Sequence, residues 1–337
     1  MPKKFLLSLT ASAMLAFSIS VHAKSLEDKL LDATATYIDK PSAKKMQAID
    51  KLLAQGAKPH FAFPMDAEEA VEIPTPLGLS IYFNDAALTH KFLETKPDLS
   101  LPISIQMNMP PMMYAMLPPQ ISPKEREARR AIVKDLLAHG ANPNVKTADD
   151  GTTALMAAGG VVQVYPPDLE NAKTLLQAGA DANARNQYGD WPLTSMGASN
   201  LGIVKLMLEA KADVKKPNGN GQNPMHFVCT RYFKTRANTP DPDAEERIAL
   251  LKQAGLDING MPEQQGLSTF GNPLYTALQE KNPDCVQALL KQGASPDAPA
   301  VRDLHGNTHT LREWLKAEGK DFLKNNAIPA SLRKQLL

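Results

Sequence analysis

Apolar positions along the chain recur in short helical segments that all end in the same way. Each segment carries leucines or other apolar residues at helical spacing and stops at Gly-Ala or a close substitute. The copies are KLLAQGAKP (51–59), HKFLETKPDL (90–99), DLLAHGANPN (135–144), TLLQAGADAN (174–183), KLMLEAKADV (205–214), LLKQAGLDIN (250–259) and ALLKQGASPD (288–297). The glycine or its substitute stands at 56, 96, 140, 179, 211, 255 and 293, which gives spacings of 32 to 44 residues. This period predicts a solenoid of stacked units, numbered repeats 1 to 7 below.

The glycine has a conformational reason. A helix commonly ends on a residue with left-handed backbone angles, which glycine adopts without a Cβ penalty. Lys96 and Lys211 occupy this position in two copies, and each is expected to cost on the order of 1 kcal/mol there.

A second phrase precedes six of these helices, those of repeats 2 to 7, and predicts a helix start. It reads TPLGLSI (75–81), PPMMYAM (110–116), TALMAAG (153–159), WPLTSMG (191–197), NPMHFVC (223–229) and NPLYTAL (272–278). The side chains of Thr75, Asn223 and Asn272 are predicted to cap a free backbone N–H, with proline in the first helical position. Pro110 and Trp191 cannot cap.

Each unit therefore runs as turn, capped helix, second helix, glycine stop and extended finger. This pattern closely resembles the ankyrin repeat, most clearly over residues 179–210 and 272–296 and more weakly over roughly 25 to 315. The resemblance implies an all-α solenoid of stacked ankyrin-like helix-turn-helix repeats with β-hairpin-like fingers over residues 24–323. A degenerate unit around Leu311 to Leu323 would end the stack, and 324–337 would be a tail.

The first departure from the repeat is a set of three insertions between its two helices, near 117–130, 160–169 and 232–246. Insertions confined to one connection are expected to project from one edge of the stack. A second departure concerns a histidine that the family often carries after Pro-Leu. It survives only as His226, so the hydrogen-bond support that it gives neighbouring repeats is expected to be mostly absent.

The N-terminus reads as a bacterial secretory signal. Lys3 and Lys4 precede an uncharged, mostly apolar stretch, and cleavage is predicted between Ala23 and Lys24. The interpretation predicts a periplasmic or secreted protein, without membrane insertion after cleavage. Removing the two lysines leaves 35 basic and 36 acidic residues, a balance that gives no reason to invoke nucleic acid. The chain alone is expected to be a monomer.

The mature chain keeps two cysteines, Cys229 and Cys285, in a compartment that permits disulfides. Both fall at inward positions of adjacent repeats. A bridge is conceivable but not required, because two buried small apolar residues would serve equally well.

Catalytic motifs are missing from the sequence: it contains no HExxH, GxSxG, P-loop or CxxC, and its histidines are scattered. We therefore predict a non-catalytic protein without cofactor, metal or catalytic residues, whose work is to bind another protein.

The stretch IQMNMPPMMYAMLPP (105–119) carries five methionines within ten residues. Repeat register assigns Met112 and Met116 to the core. Three interpretations of the stretch remain open: methionine filling of irregular packing, a soft contact surface for a partner protein, and a cuprous thioether site. The second interpretation places Met107, Met109 and Met113 on that surface, with Tyr114 beside them.

In the ankyrin family the fingers and inner helices form the face that binds partners, and the resemblance implies the same here. The candidate contacts are Met107, Met109, Met113, Tyr114, Tyr188, Asp190, Trp191 and Phe270. Trp191 has an alternative role in packing between adjacent fingers. Four hypotheses follow for the protein: an immunity protein against an envelope-acting toxin, an oxidative-stress accessory of the catalase-associated type, a secreted host-directed effector, and a copper-binding protein.

Overall fold

The computed structural model describes residues 25–62, 75–103, 108–116, 122–160, 167–194, 196–230, 240–263, 271–303, 305–318, 321–325 and 328–337. The chain forms two compact units, Met1–Asp149 and Asp150–Leu337. Each unit is built of stacked helix pairs, so the fold is the ankyrin-like helical solenoid that the repeat predicts. The predicted cleavage site, Ala23 and Lys24, lies outside the described residues.

The first unit contains repeats 1 to 3. Its helices are α1 (Leu26–Asp39), α2 (Ala43–Ala54), α3 (Pro76–Tyr82), α4 (Ala86–Leu93), α5 (Pro111–Met116) and α6 (Pro123–Ala138). They pair as α1 with α2, α3 with α4, and α5 with α6. The inner helices α1, α3 and α5 pack in a row, and the outer helix α4 packs on α6.

The second unit contains repeats 4 to 7 and the end of the stack. Its elements are α7 (Ala154–Ala158), α8 (Leu169–Gln177), a 3₁₀ helix (Met196–Ser199), α9 (Leu201–Glu209), α10 (Pro224–Phe227), α11 (Ala244–Gln253), α12 (Pro273–Gln279), α13 (Pro283–Lys291), β1 (Pro299–Arg302), β2 (Thr308–Thr310), α14 (Leu311–Glu318), α15 (Asp321–Asn325) and α16 (Ala330–Leu336). The outer helices α8, α9, α11 and α13 pack in sequence order.

The helix stops confirm the repeat register. Every one of the seven stop positions has a positive φ, from 53° at Lys96 and 57° at Lys211 to between 87° and 100° at the five glycines. The two lysines thus hold the left-handed conformation despite their Cβ atoms, as their alignment with the glycines predicts.

The predicted helix starts are also confirmed at the three capping residues. Thr75 Oγ1 accepts from Gly78 N at 3.2 Å, Asn223 Oδ1 from Met225 N at 3.0 Å, and Asn272 Oδ1 from Tyr275 N at 2.9 Å. Each bond satisfies an N–H that the helix start leaves free.

Repeat 5 departs from the expectation that it is the most regular copy. Its first helix is replaced by a turn and the short 3₁₀ segment. Trp191 has no capping oxygen, and its backbone N–H donates instead to Thr194 Oγ1 at 2.9 Å. Gly197 packs so tightly that an added Cβ would lie 2.0 Å from the Pro192 carbonyl oxygen. The segment therefore depends on close backbone packing rather than on a capped helix.

The described part of the repeat 3 insertion is helical, and residues 117–121 lie outside the described residues. Ser122 and Glu125 form a capping box, so residues 123–130 extend the outer helix α6 at its N-terminus. Arg129 in this extension is buried and donates to Asn84 Oδ1, to Tyr114 O at 3.4 Å and to Tyr82 O at 3.4 Å. The inserted residues thus bind carbonyl oxygens at the ends of the short inner helices.

A second buried arginine, Arg247, directly follows the insertion of repeat 6 and binds one of its residues. Arg247 binds Asp241 with two hydrogen bonds of 2.8 Å and donates to Val228 O at 3.2 Å, next to the end of α10. Asn282 donates to the same carboxylate at 2.9 Å. Residues 161–166 and 231–239, which complete the other two insertions, lie outside the described residues.

Hydrogen bonds between neighbouring repeats are more frequent than the loss of the family histidine predicts. His226 Nε2 lies 3.1 Å from Gly260 O, in the expected role. His60 makes a similar link from a different sequence position, with Nε2 3.0 Å from Leu101 O and Nδ1 3.0 Å from Thr75 Oγ1. Asn272 Nδ2 donates to Pro299 O at 2.9 Å. The family histidine itself gives this support only at His226, while His60 and Asn272 link neighbouring repeats in other ways.

The C-terminal end is more structured than predicted. β1 and β2 form an antiparallel hairpin, and Trp314 packs edge-to-face on both Tyr275 and Phe322. The segment interpreted as a tail contains α16, in which Leu332 and Leu336 are buried. In the part of the chain that the structure describes, each helix is too short or too polar to cross a membrane.

Candidate interaction surface

Two finger tips of the second unit, at 186–190 and 218–222, share one local design. The side-chain Oδ1 of Asn186 accepts from Tyr188 N at 3.0 Å and from Asp190 N at 2.9 Å. Asn218 binds Asn220 N and Gln222 N in the same way, both at 3.0 Å. Such asparagine-closed turns hold the backbone without help from the outward side chains. A spacing of Asn or Asp, two residues, then glycine marks these turns in the sequence.

Backbone hydrogen bonds join successive tips. Gln187 N donates to Asp150 O at 2.8 Å, Gly219 N to Tyr188 O at 2.7 Å, and Glu263 N to Gly221 O at 3.0 Å. A Cβ at position 219 would lie 2.6 Å from Tyr188 O, so glycine permits this approach. We call the exposed residues Gln187, Tyr188, Gly219, Asn220 and Glu263 the tip row.

Tyr188 is the prominent apolar side chain of the tip row. Among the described residues the exposed large apolar side chains are Leu169, Tyr188 and Leu337, and Tyr188 is the most exposed of them at 58%. Its backbone N–H and C=O are both bonded within the tip row or its turns. An exposed aromatic on a fixed backbone loses little entropy when it binds, which suits a contact residue.

Asp190 supports the tips rather than standing free. Its Oδ1 accepts from Asn218 Nδ2 at 2.8 Å and from Thr194 Oγ1 at 3.2 Å, which ties one finger to the next. Burial raises the pKa of this carboxyl, and the two hydrogen bonds oppose that rise. We therefore assign Asp190 a role in positioning Tyr188 rather than in contacting a partner directly.

Trp191 corrects the predicted contact set. Its side chain is fully buried, and the guanidinium carbon of Arg185 lies 4.1 Å from the ring centroid. The packing alternative for Trp191 is therefore the one that the structure supports. Burial also lowers the pKa of Arg185 to about 10, so its cation remains available to the indole face at neutral pH.

The methionine stretch belongs mostly to the core. Met112, Met113 and Met116 are buried, which adds Met113 to the two that repeat register assigned there. Tyr114 is buried too and stacks on Tyr82, so neither Met113 nor Tyr114 lies on the surface, which corrects their predicted contact role. All six residues of the short helix α5 are buried, and it packs on the inner helix α3 and the outer helix α6.

Of the remaining candidate contact residues, the structure describes only Met109. Met109 is half-buried, and its carbonyl accepts from Ile103 N at 2.9 Å. Met107 and Phe270 lie outside the described residues, so their contact role stays a prediction. Three of the five methionine sulfurs that a solvent-open cuprous site could use belong to buried side chains.

The two cysteines form a disulfide. Cys229 and Cys285 are buried, with their Cα atoms 5.8 Å apart, and they join repeats 6 and 7. Of the two alternatives that the sequence leaves open, the structure contains the bridge.

Histidines are less scattered than the sequence indicates. His90 and His139 meet at Asp135 on the outer helices α4 and α6, where no motif would place a site. Sequence reasoning missed this group because His90 and Asp135 are 45 residues apart.

Residues 272–301 match the model of the ankyrin repeat family. The matched segment covers repeat 7, from the capping Asn272 to β1. Curated relatives extend the similarity. The E3 ubiquitin-protein ligase KEG of Arabidopsis thaliana is 27% identical over 73% of this chain, which spans 15% of that protein. The putative ankyrin repeat protein L86 of Acanthamoeba polyphaga mimivirus is 23% identical over 52% of this chain and 31% of its own length. Together these similarities support the presence of ankyrin repeats in this chain.

The chain is also similar to two further proteins. Neurogenic locus notch homolog protein 1 of Xenopus laevis is 26% identical over 52% of this chain and 6% of its own length. The crystal structure of the ankyrin repeat domain of Bcl-3 superposes with a TM-score of 0.47 at 19% identity, covering 69% of this chain and 91% of that one. The chain thus spans less than a third of these curated relatives. Ankyrin repeats generally serve as non-catalytic scaffolds that bind another protein.

Proposed function

We propose that this protein is a non-catalytic interaction scaffold of the bacterial periplasm that binds one partner protein through the tip row and the neighbouring inner-helix face. The observation that carries the proposal is Tyr188, 58% exposed on a tip whose backbone is fixed on both sides. Fixed backbone with an exposed aromatic is the arrangement that interface hot spots favour. Export is supported by the signal-like residues 1–23.

Within this scaffold role we propose immunity: the partner is an envelope-acting toxin, whose active site the scaffold occludes. A disulfide between Cys229 and Cys285 suits an exported protein, because such bonds persist in oxidising compartments. The near-neutral net charge gives no reason to expect nucleic acid as the partner.

The test is capture of the partner from the envelope fraction of the native host by the tagged mature chain, followed by measured affinity of the identified partner. Tyr188→Ala is expected to weaken that affinity by about 2 kcal/mol, roughly thirtyfold, which is typical of a hot-spot residue. Leu169→Ala is the matched control, since it removes an exposed apolar side chain from the outer helix α8 and is expected to leave the affinity unchanged.

The identity of the captured protein decides the finer proposal. A hydrolytic toxin whose activity falls on binding supports immunity, whereas a catalase or a host protein replaces it with the stress or effector hypothesis. Osmotic-shock fractionation tests the location separately. Equal capture by wild type and Tyr188→Ala would contradict the tip row as the binding surface.

A further inference from the structure

Two outer helices of the first unit bring together side chains that metals bind. Asp135 Oδ2 lies 3.0 Å from His90 Nδ1, and Asp135 Oδ1 lies 3.2 Å from His139 Nδ1. One ring nitrogen from each histidine and one carboxylate oxygen all lie within 4.8 Å of one another. We propose that His90, Asp135 and His139 bind one divalent transition-metal ion of the zinc type.

The local structure fixes two of the ligands on one helix. Asp135 and His139 are four residues apart on α6, so both project from the same face. His139 is the C-cap residue of that helix, and its Nδ1 lies 2.9 Å from the backbone oxygen of Asp135. The same Nδ1 faces the Asp135 carboxylate at 3.2 Å, so an ion bound between these two groups would replace the contact of Nδ1 with the backbone oxygen.

The third ligand comes from the neighbouring repeat. His90 lies on α4, which packs against α6, and its ring centroid is 5.8 Å from that of His139. Glu94 follows one turn later on α4, with Oε1 4.0 Å from His90 Nε2. At this distance Glu94 places a negative charge beside the ring but makes no hydrogen bond to it.

The donor set selects the class of ion. Two imidazoles and one carboxylate suit Zn²⁺, Ni²⁺ or Cu²⁺, whereas Mg²⁺ and Ca²⁺ prefer sites made of oxygen ligands alone. The His90 side chain is 57% exposed and those of His139 and Asp135 are 25% and 21% exposed, so an ion can enter without unfolding. Exposure also leaves coordination positions open to water. A bound ion would join the outer helices of repeats 2 and 3.

The test is isothermal titration of Zn²⁺ into the mature full chain, purified without a histidine tag. One ion per chain is expected, and His90→Gln or His139→Gln is expected to weaken binding by about tenfold to a hundredfold, at least the loss seen when an outer-shell partner is removed. His309→Gln is the matched control, because it removes another surface histidine that pairs with a carboxylate, Asp303, at 3.1 Å. That variant is expected to bind Zn²⁺ as the wild type does.

A second readout excludes unspecific effects. Zn²⁺ is expected to raise the Tm of the wild type and of His309→Gln, since a ligand of the folded state stabilises it. The rise should vanish in His139→Gln, and Mg²⁺ should produce none. Equal Zn²⁺ affinity in wild type and His139→Gln, or a loss confined to His309→Gln, would overturn the proposal.

Discussion

Repeats 3 and 6 both contain a short inner helix whose end carbonyl oxygens accept hydrogen bonds from a buried arginine, but the other hydrogen-bond partners of the two arginines differ. In each repeat the arginine lies in or directly after an insertion that precedes the outer helix. In repeat 3, Arg129 donates to the neutral oxygens of Asn84, Tyr82 and Tyr114. In repeat 6, Arg247 adds a two-bond contact to a carboxylate.

The comparison shows that residues in or beside these insertions contribute hydrogen bonds to the fold. In both repeats they replace the hydrogen bonds that a shortened helix cannot make for itself. Repeat 6 also carries the disulfide beside its arginine, since Asn282 contacts both Asp241 and the Cys229 carbonyl. We therefore expect repeat 6 to depend on a few strong interactions and repeat 3 on several weaker ones.

The largest effect is expected from Asp241→Ala. It leaves the Arg247 side chain, only 2% exposed, without its carboxylate, and removing one partner of a buried pair typically costs roughly 3–5 kcal/mol. Urea unfolding followed by circular dichroism measures the loss. Asp297→Ala is the control, because its partner Arg312 is a surface residue and such pairs contribute about 1 kcal/mol or less. Equal losses in the two variants would show that the Arg247 pair is not special.

The next effect is expected from opening the disulfide. Cys229 and Cys285 are 56 residues apart, and bridges that close loops of this kind typically stabilise by roughly 2–4 kcal/mol. The Cys229→Ser, Cys285→Ser double variant should lose this amount. Hydrogen exchange should quicken in α10 to α13, while α5 and α6 of repeat 3, which has no cysteine, keep their protection. Uniform quickening across both repeats would contradict the local role.

Arg129→Met should cost less, about 2 kcal/mol. The change keeps an apolar stem in the buried site but removes the hydrogen bonds that Arg129 donates to Asn84, Tyr82 and Tyr114, and a typical hydrogen bond contributes roughly 0.5–1.5 kcal/mol. Arg130→Met is the control, since Arg130 pairs with the exposed Glu127. A loss at Arg129 as large as that of Asp241→Ala would remove the contrast between the repeats.

The smallest effect is expected from Asn84→Gly, about 1 kcal/mol. The variant removes one acceptor of Arg129 but keeps the left-handed backbone, since Asn84 has a φ of 58°. Asn84→Ala should be worse by roughly 1 kcal/mol because its Cβ is strained at that angle. Thermal unfolding of the three proteins gives the order, and an alanine variant as stable as the glycine variant would refute the backbone explanation.

The sequence could predict whatever depends on local backbone chemistry. Lys96 and Lys211 reveal their left-handed conformation by alignment with glycines, and Thr75 and Asn272 reveal helix starts by their oxygens. These features rest on a few neighbouring residues, so a repeat makes them visible. The turn spacing that fixes Tyr188 was also present in the sequence and was missed.

Features that depend on distant residues could not be predicted. Arg129 meets Tyr82 across 47 positions, and His60 reaches Leu101 across 41, so no local pattern marks either contact. Trp191 looked like a contact residue because it follows an exposed tip, and only packing with Arg185 shows that it is buried. The exposure of Tyr188 is compatible with its predicted contact role, which stays a prediction, whereas Trp191 beneath the tip is buried.

The tip row also has a consequence for how such a protein changes over generations. Its turns are joined through main-chain groups, with Gly219 N on Tyr188 O and Glu263 N on Gly221 O. Side chains at 187, 188, 220 and 263 contribute no atom to those bonds, so mutation can replace them at little cost in folding. Selection can then alter which partner is recognised while the framework stays the same, and specificity should drift faster here than anywhere in the buried helices.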